Sequence, residues 1–209
     1  MWPRLTVAGD LDELARMGAS LVREEAWRAV DVQGVFRVVL AGGETPRALY
    51  ARLAEPPFRD VPWERTQVFW GDERHVGPSD TDSNYRMAVE ALLSRVPVNP
   101  SNVFRIRGEK PDAELAAREY DATIRHVCAL QAGEWPRFDL VLLGLGTDGH
   151  TASLFPGSPA LQERSRLVVA PWVADRRAFR ITMTLPMFDH AAHVVFVVAG
   201  AAKAAAVAA

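Results

Sequence analysis

Short apolar runs recur along the chain, and the run over residues 138–143 shows no alternation of polar and apolar positions. A run of this kind is typical of a strand that is buried on both faces of a parallel sheet. On this pattern we predict strands at residues 4–7, 35–41, 68–70, 102–106, 138–143, 167–170, 180–184 and 193–198.

Between several of these runs, apolar residues recur every three or four positions, which is typical of an amphipathic helix. This spacing predicts helices at residues 11–30, 46–53, 85–93 and 112–130. Asp10 and Thr45 are the expected N-caps of the first two helices. The alanine-rich run after Gly200 has high helix propensity and no stop signal before Ala209, so we expect the chain to end inside a helix.

Strands that alternate with helices predict an α/β fold of three layers, αβα, in which helices cover both faces of a mostly parallel sheet. The chain has 209 residues, which is enough for one sizeable core. No repeat and no low-complexity linker divides it. We therefore expect a single α/β domain over residues 1–209.

The composition excludes several classes of protein. A formal net charge of −2, with acidic and basic residues interspersed, gives no electrostatic reason to bind nucleic acid or an anionic membrane. No apolar stretch of membrane-spanning length and no signal-peptide core is present in the sequence. The single cysteine, Cys128, excludes an intrachain disulfide framework and suits a reducing compartment. We expect a cytoplasmic protein that holds any anionic substrate with a local cluster of cations.

The segment GLGTDGHTASLFPG, residues 144–157, directly follows the buried run at 138–143. In open α/β sheets the ligand crevice lies outside the carboxyl ends of the strands, which would place Asp148 and His150 in that crevice. The glycines of the segment allow close approach of a ligand to the backbone. Taken alone, the segment also fits an ordinary strand-to-helix turn with His150 on the surface.

Two further loops follow predicted strands in the same way. Gly42, Gly43 and Thr45 precede a helix, where free backbone N–H groups and the helix dipole favour an anion. The pattern matches neither of the glycine-rich nucleotide-binding motifs, so nucleotide binding is not implied. The run Asp72–Arg74 follows the next strand and is more charged than a turn requires. A tight turn and a solvated polar loop are the alternatives for these two segments.

Four segments, LAGGETPRALY, WGDERHVGPSDTDSNYRMA, GLGTDGHTASLFPG and RITMTLP with VVFVVAGAAK, resemble in their order the motifs of 6-phosphogluconolactonases, from about Val35 to Lys203. The resemblance implies a modified Rossmann-like fold and the hydrolysis of 6-phospho-D-glucono-1,5-lactone to 6-phosphogluconate in the pentose phosphate pathway, without a metal or a cofactor. Members of the family usually continue beyond the position of Lys203, so we expect this chain to lack their C-terminal segment.

Lactone hydrolysis needs a water delivered to the carbonyl carbon and a proton for the departing ring oxygen, and histidine suits both tasks near neutral pH. The resemblance assigns the general base to His150, and Asp148 is expected to orient His150 or the substrate. The oxyanion donors are left open between backbone N–H groups of the glycine loops and Arg74. The residues expected to bind the substrate and its phosphate are Gly42, Gly43, Thr45, Asp72, Glu73, Arg74, Arg180 and Lys203.

The expected partner is a phosphorylated sugar lactone, with no nucleic acid, no membrane, no metal and no obligate protein partner. Glucosamine-6-phosphate deaminases share the fold, and the Asp72–Glu73 pair keeps a deaminase or isomerase as an alternative; those enzymes typically carry Asp-Glu-Tyr at these positions. A non-catalytic sugar-phosphate sensor is the third possibility. His190 and His193 are spaced like a metal pair but lack a third ligand nearby in sequence, so we interpret them as core or surface residues.

Overall fold

The computed structural model describes residues 4–208. In the described chain, helices and strands follow one another in the order α1 (Leu11–Gln33), β1 (Phe36–Leu40), α2 (Glu44–Leu53), β2 (Thr66–Trp70), β3 (Asp72–Arg74), α3 (Asn84–Ala88), α4 (Ala113–Val127), β4 (Leu140–Leu143), β5 (Val168–Val169), β6 (Trp172–Val173), β7 (Ala178–Met183), α5 (Leu185–Asp189), β8 (His193–Phe196) and α6 (Ala204–Ala208).

A four-stranded parallel sheet in the order β2-β1-β4-β8 forms the centre of the fold. Val38 of β1 pairs with Val68 on one side and with Leu140 on the other. All four residues of β4 are buried, as the uninterrupted apolar run predicted. The predicted α/β fold with a mostly parallel central sheet is confirmed.

A second sheet is antiparallel, in the order β3-β7-β5 with β6 also paired to β7, and the sequence, which predicted a mostly parallel sheet, did not single it out. For the pairing of β5 and β6 with β7, the physical reason is the short connection between the strands. Only residues 170–177 separate β5 from β7, and they include β6, whereas a parallel crossover needs a dozen or more residues. Short connections of this kind produce antiparallel pairs.

Helices cover the parallel sheet and bury the apolar stripes that the sequence predicted. Helix α1 packs against α2 and β1, and its buried residues recur at helical spacing. On α4, the hydroxyl of Tyr120 donates to the carbonyl of Trp70 (3.1 Å) and accepts from its N–H (2.8 Å), where β2 ends. This contact fixes the strand end that leads into β3.

The local sequence signals differ in how closely the structure follows them. Asp10 caps α1 as predicted, because its side chain accepts from the N–H of Glu13 at 2.7 Å. The prediction of Thr45 as the cap of α2 was wrong: Gly43, at φ 105°, turns the chain earlier and the helix begins at Glu44. Residues 4–7 form no strand, and the predicted strand at 102–106 is reduced to a bridge between Val103 and Val68.

The alanine-rich segment forms a short 3₁₀ turn, Ala201–Lys203, and then α6, so its predicted helical character is confirmed for the described residues. Within residues 4–208, no helix combines the length and the apolar character needed to cross a bilayer.

Candidate active site

A cleft of about 610 Å³ opens where the carboxyl ends of β1 and β4 meet β3 and β7. This is the edge at which open α/β sheets bind their ligands. The cleft brings together residues from all three loops that the sequence singled out, and adds β7 and the turn before α6. The sequence-predicted residues that line it are Gly42, Gly43, Asp72, Arg74, His150, Arg180 and Lys203.

His150 and Asp148 form a hydrogen-bonded pair at one end of the cleft. Nδ1 of His150 lies 2.5 Å from Oδ1 of Asp148, and the N–H of His150 is 3.3 Å from the same oxygen. Because an ionised carboxylate only accepts hydrogen bonds, the pairing places the ring proton on Nδ1 and leaves a lone pair on Nε2. Burial acts to raise the pKa of Asp148, but the hydrogen bonds from His150 outweigh it and lower that pKa. His150 lines the cleft, whereas Asp148 does not line it and contacts His150 instead.

The loop around this pair is closed tightly. The N–H of Gly146 donates to the carbonyl of His150 at 2.7 Å, and Thr151 Oγ1 donates to the carbonyl of Gly144 at 2.8 Å. A Cβ on Gly146 would overlap both the imidazole of His150 and the carboxylate of Asp148. On its other side the imidazole stacks on Phe155, with ring centroids 4.2 Å apart. The hydrogen-bonded pair of His150 and Asp148 therefore requires a glycine at position 146.

The alternative of an ordinary strand-to-helix turn is not what the loop forms. After Gly144–His150 the chain makes a narrow turn with an isolated bridge from Thr151 to Leu154, and the next α-helix, α5, begins only at Leu185. Neither Asp148 nor Thr151 caps a helix here.

Backbone N–H groups face the cleft from the loop after β1. The N–H groups of Gly42 and Gly43 donate to no group in residues 4–208, and they precede the N-terminus of the ten-residue helix α2. Helix N-termini with free N–H groups attract anions. Thr45 lies on the first turn of α2 and does not line the cleft, so the structure does not bring it to the site with the glycines.

Asp72 is the buried carboxylate of the cleft, with 8% of its surface exposed. Ser153 Oγ donates to its Oδ2 at 2.7 Å, and the Asn84 amide donates to its Oδ1 at 3.2 Å and to its carbonyl at 2.9 Å. The sequence singled out neither Ser153 nor the contact from Asn84. The N-cap of α3 is Ser83, whose hydroxyl accepts from the N–H of Arg86 at 3.1 Å.

Glu73 was expected to bind substrate, and the structure corrects this expectation. It is 2% exposed and does not line the cleft. Its carboxylate accepts from the N–H groups of Arg74, Asn84 and Tyr85, each at 2.8 Å, and from the hydroxyl of Ser83 at 3.1 Å. Burial raises its pKa, although these hydrogen bonds oppose the rise. Adjacent residues of a strand point to opposite faces, so Glu73 ties α3 to β3 while Asp72 faces the cleft.

Three arginines and one lysine line the cleft. Arg74 and Arg180 are direct partners across β3 and β7, and like charges in that relation repel. The guanidinium of Arg74 donates to the carbonyl of Asp82, whereas Nε of Arg180 is buried with no partner in the described chain. Burial lowers the pKa of Arg180, and the charge of Arg74 lowers it further. Lys203, on the turn before α6, also lines the cleft, as does Arg176, which the sequence did not single out.

The two histidines that are spaced like a metal pair, His190 and His193, have different partners. Nδ1 of His190 bonds to the carbonyl of Pro186 at 2.8 Å and its ring stacks on Trp135, while His193 lies 3.2 Å from Glu25. Among the described residues, no group of three or more His, Cys, Asp or Glu side chains is arranged to hold a metal ion. Both His190 and His193 are exposed.

Comparison with known proteins gives the family. Residues 9–209 match the model of the glucosamine-6-phosphate isomerases/6-phosphogluconolactonase family. A 6-phosphogluconolactonase of Synechocystis sp. is 39% identical over 204 residues, which cover 97% of this chain and 82% of the relative. A 6-phosphogluconolactonase of Nostoc sp. is also 39% identical, over 94% of this chain and 80% of the relative. The chain belongs to the family of glucosamine-6-phosphate isomerases and 6-phosphogluconolactonases.

Solved structures agree on the fold. The 6-phosphogluconolactonase of Trypanosoma brucei superposes with a TM-score of 0.89 at 32% identity, over 99% of this chain and 85% of that one. A monomeric glucosamine-6-phosphate deaminase superposes with a TM-score of 0.78 at 19% identity, over 96% of this chain and 84% of that one, which is a likeness of fold alone. Within the family, the similarity of this chain is therefore to the lactone hydrolases.

Proposed function

We propose that this protein hydrolyses 6-phospho-D-glucono-1,5-lactone to 6-phospho-D-gluconate, with His150 assisting the attack of water on the lactone carbonyl. The observation that carries the proposal is the Asp148–His150 pair, whose Nδ1–Oδ1 distance is 2.5 Å, in a cleft that Arg74 and Arg180 also line. A base and a cation cluster in one cleft suit a substrate with an ester carbon and a phosphate.

In this mechanism His150 removes a proton from water through Nε2. The carboxylate of Asp148 holds the Nδ1–H tautomer and stabilises the imidazolium that forms. The attacking oxygen bonds to the carbonyl carbon and gives a tetrahedral oxyanion. When the ring C–O bond breaks, the imidazolium returns its proton to the departing ring oxygen. Asp148 touches His150 rather than the cleft, so its role is to position the base.

The oxyanion needs donors that are fixed before the reaction. The N–H groups of Gly42 and Gly43 are without partners in the described part of the chain and lie beside the N-terminus of α2. Arg74 is the alternative donor, but it lies directly across from Arg180, where two adjacent cations suit the phosphate better than a single oxyanion. We assign the oxyanion to the glycine N–H groups and leave the guanidinium for the phosphate.

The phosphate carries nearly two negative charges and would relieve the repulsion between Arg74 and Arg180. Arg180 offers a buried Nε that lacks a partner in residues 4–208, and Lys203 adds a point charge. Asp72, held by Ser153 and Asn84, is then placed to accept hydrogen bonds from sugar hydroxyls. The negative charge of Asp72 also repels anions that have no hydroxyl group with which to donate a hydrogen bond to it.

Glucosamine-6-phosphate deamination is the second candidate, because the two classes share the fold. Its sequence support was the Asp72–Glu73 carboxylate pair, of which only Asp72 lines the cleft. Glu73 is fully engaged with α3, so it is not available to move a proton between carbons. A non-catalytic sensor would retain the cations without needing a paired base such as His150.

The direct test measures hydrolysis of the 6-phospho-lactone above its considerable spontaneous rate, beside ammonia release from glucosamine 6-phosphate. We expect acceleration of the first reaction and none of the second. Ammonia release without lactone acceleration would support the deaminase. Calorimetric binding of 6-phosphogluconate without turnover would support the sensor. The cytoplasmic location, the single domain and the lack of an obligate protein partner stay predictions of the sequence.

A further inference from the structure

The hairpin formed by β6 and β7 makes one wall of the cleft, and its tip carries an arginine with no assigned role. Residues 174–176 form a 3₁₀ turn, and Arg177 then adopts the left-handed conformation at φ 47°. The N–H of Arg177 donates to the carbonyl of Ala174 at 3.1 Å, which closes the turn. Arg176 lines the cleft, whereas Arg177 does not.

The hairpin is braced at its base. Trp172 and Phe179 pack edge to face with centroids 5.0 Å apart, and Phe179 approaches His75 in the same way at 6.3 Å. Val173 between them is buried. The paired strands thus hold the tip of the hairpin beside the cleft, which Arg176 lines.

The charge of Arg176 is uncompensated within the described residues. It takes part in no ion pair and in no side-chain hydrogen bond there, unlike Arg166 or Arg125, which pair with carboxylates. Its charge helps to lower the pKa of Arg180. Burial and the charge of Arg74 lower that pKa more strongly. Three guanidinium groups therefore face one cavity, and the nearby Asp72 and Asp82 only partly offset them. A multiply charged anion would remove this repulsion.

From this placement we infer that Arg176 is a further substrate-binding residue, an exposed cation lining the cleft that contacts the phosphate of the bound phosphosugar. The inference rests on the proposed function for its substrate. Arg176 is exposed, so its contribution is modest and screened by salt, and it acts on binding rather than on the chemical step. Arg180, which is half-buried, is the anchor of the same anion.

The chain offers a matched control for the test. Arg176→Asn and Arg177→Asn remove the same charge from adjacent positions of one turn, and asparagine tolerates the left-handed conformation at the second position. For Arg176→Asn we expect KM for the 6-phospho-lactone and the dissociation constant of 6-phosphogluconate to rise about 3- to 10-fold at low salt, with kcat within about 2-fold of wild type. Arg176→Lys should recover part of the loss, and Arg177→Asn should match the wild type.

Hydrolysis of unphosphorylated gluconolactone should not distinguish the variants. The inference is overturned if Arg176→Asn and Arg177→Asn bind 6-phosphogluconate equally, or if Arg176→Asn weakens both substrates to the same degree. Failure of the proposed function would look different, because the wild type itself would then not accelerate lactone hydrolysis. Calorimetric titration of 6-phosphogluconate into the wild type, Arg176→Asn and Arg177→Asn would still decide the role of Arg176.

Discussion

The carboxylate of Asp148 lies 2.5 Å from Nδ1 of His150, which is two residues further along the same loop. The pair is possible because Gly146 leaves the space that both side chains fill. The proposed base and the carboxylate that pairs with it thus lie within five consecutive residues, 146–150.

Replacing Asp148 with asparagine should lower kcat about 10- to 100-fold, less than the loss of the histidine itself. The amide cannot stabilise an imidazolium, and its NH₂ group competes for the orientation that holds Nδ1–H. Steady-state kinetics with the 6-phospho-lactone measures the effect, and the affinity for 6-phosphogluconate should be nearly unchanged. An unaltered kcat would show that His150 does not depend on this partner.

Gly146→Ala should disrupt the same pair from the backbone side. The added Cβ would overlap the imidazole and the carboxylate, so we expect kcat to fall at least about 10-fold with a destabilisation of roughly 1–3 kcal/mol, the usual scale of overpacking. Gly77→Ala is the control, since no heavy atom lies within 4 Å of a Cβ there. Equal behaviour of the two variants in kinetics and thermal unfolding would contradict the account.

Arg180→Ala should cost roughly 2–4 kcal/mol in kcat/KM for the 6-phospho-lactone, on the scale of losing a charge-assisted pair in a desolvated site. Part of this loss should appear in kcat, because the phosphate contact also positions the carbonyl. Hydrolysis of unphosphorylated gluconolactone should change little. If both activities fall equally in a folded variant, Arg180 serves the oxyanion or the architecture instead of the phosphate.

Glu73→Gln should destabilise the fold without a direct effect on chemistry. The carboxylate accepts four hydrogen bonds, and an amide would turn one acceptor into a donor facing N–H or O–H groups, at a cost of about 1–3 kcal/mol. The chemical denaturation midpoint measures this, with Glu134→Gln on an exposed loop as the control.

The pH dependence of the same residue has a defined sign. Burial raises the pKa of Glu73 in the folded state, so between the ordinary and the raised pKa the folded protein holds more protons than the unfolded chain. The free energy of unfolding of the wild type, relative to Glu73→Gln, should therefore fall as the pH rises through that window. A difference that grows with pH would mean that the hydrogen bonds outweigh burial.

Much of the fold could be predicted from local sequence signals. The helix cap at Asp10, the buried run that became β4 and the loop that follows it all rest on short-range chemistry, and the structure confirms them. The antiparallel sheet could not be predicted in this way, because its pairing of Arg74 with Arg180 joins residues that are distant in sequence. Thr45 failed as a cap because the conformation of Gly43 decides where α2 begins.

The residues of the candidate site also fall into two groups, those that local sequence signals predict and those that only tertiary contacts bring to the cleft. His150, Asp72 and Arg180 follow or belong to predicted strands, and the edge of the sheet brings them to one cleft. Glu73 was expected at the cleft, but adjacent residues of a strand point to opposite faces, and Glu73 points away from the face that Asp72 shares with the cleft. A charged run of three residues is too short to show from sequence which residues face the cleft. Ser153 and Arg176 reach the cleft only through tertiary contacts, by the hydrogen bond to Asp72 and by the hairpin tip, respectively.

The central claim is that His150 is the general base, and His150→Ala tests it most directly. Hydrolysis of 6-phospho-D-glucono-1,5-lactone should be followed above the spontaneous rate for the wild type and the variant, with calorimetric titration of 6-phosphogluconate into both. The account predicts that kcat falls by roughly two to four orders of magnitude while product affinity is retained. A variant that binds product normally and turns over at a rate near that of the wild type would contradict it.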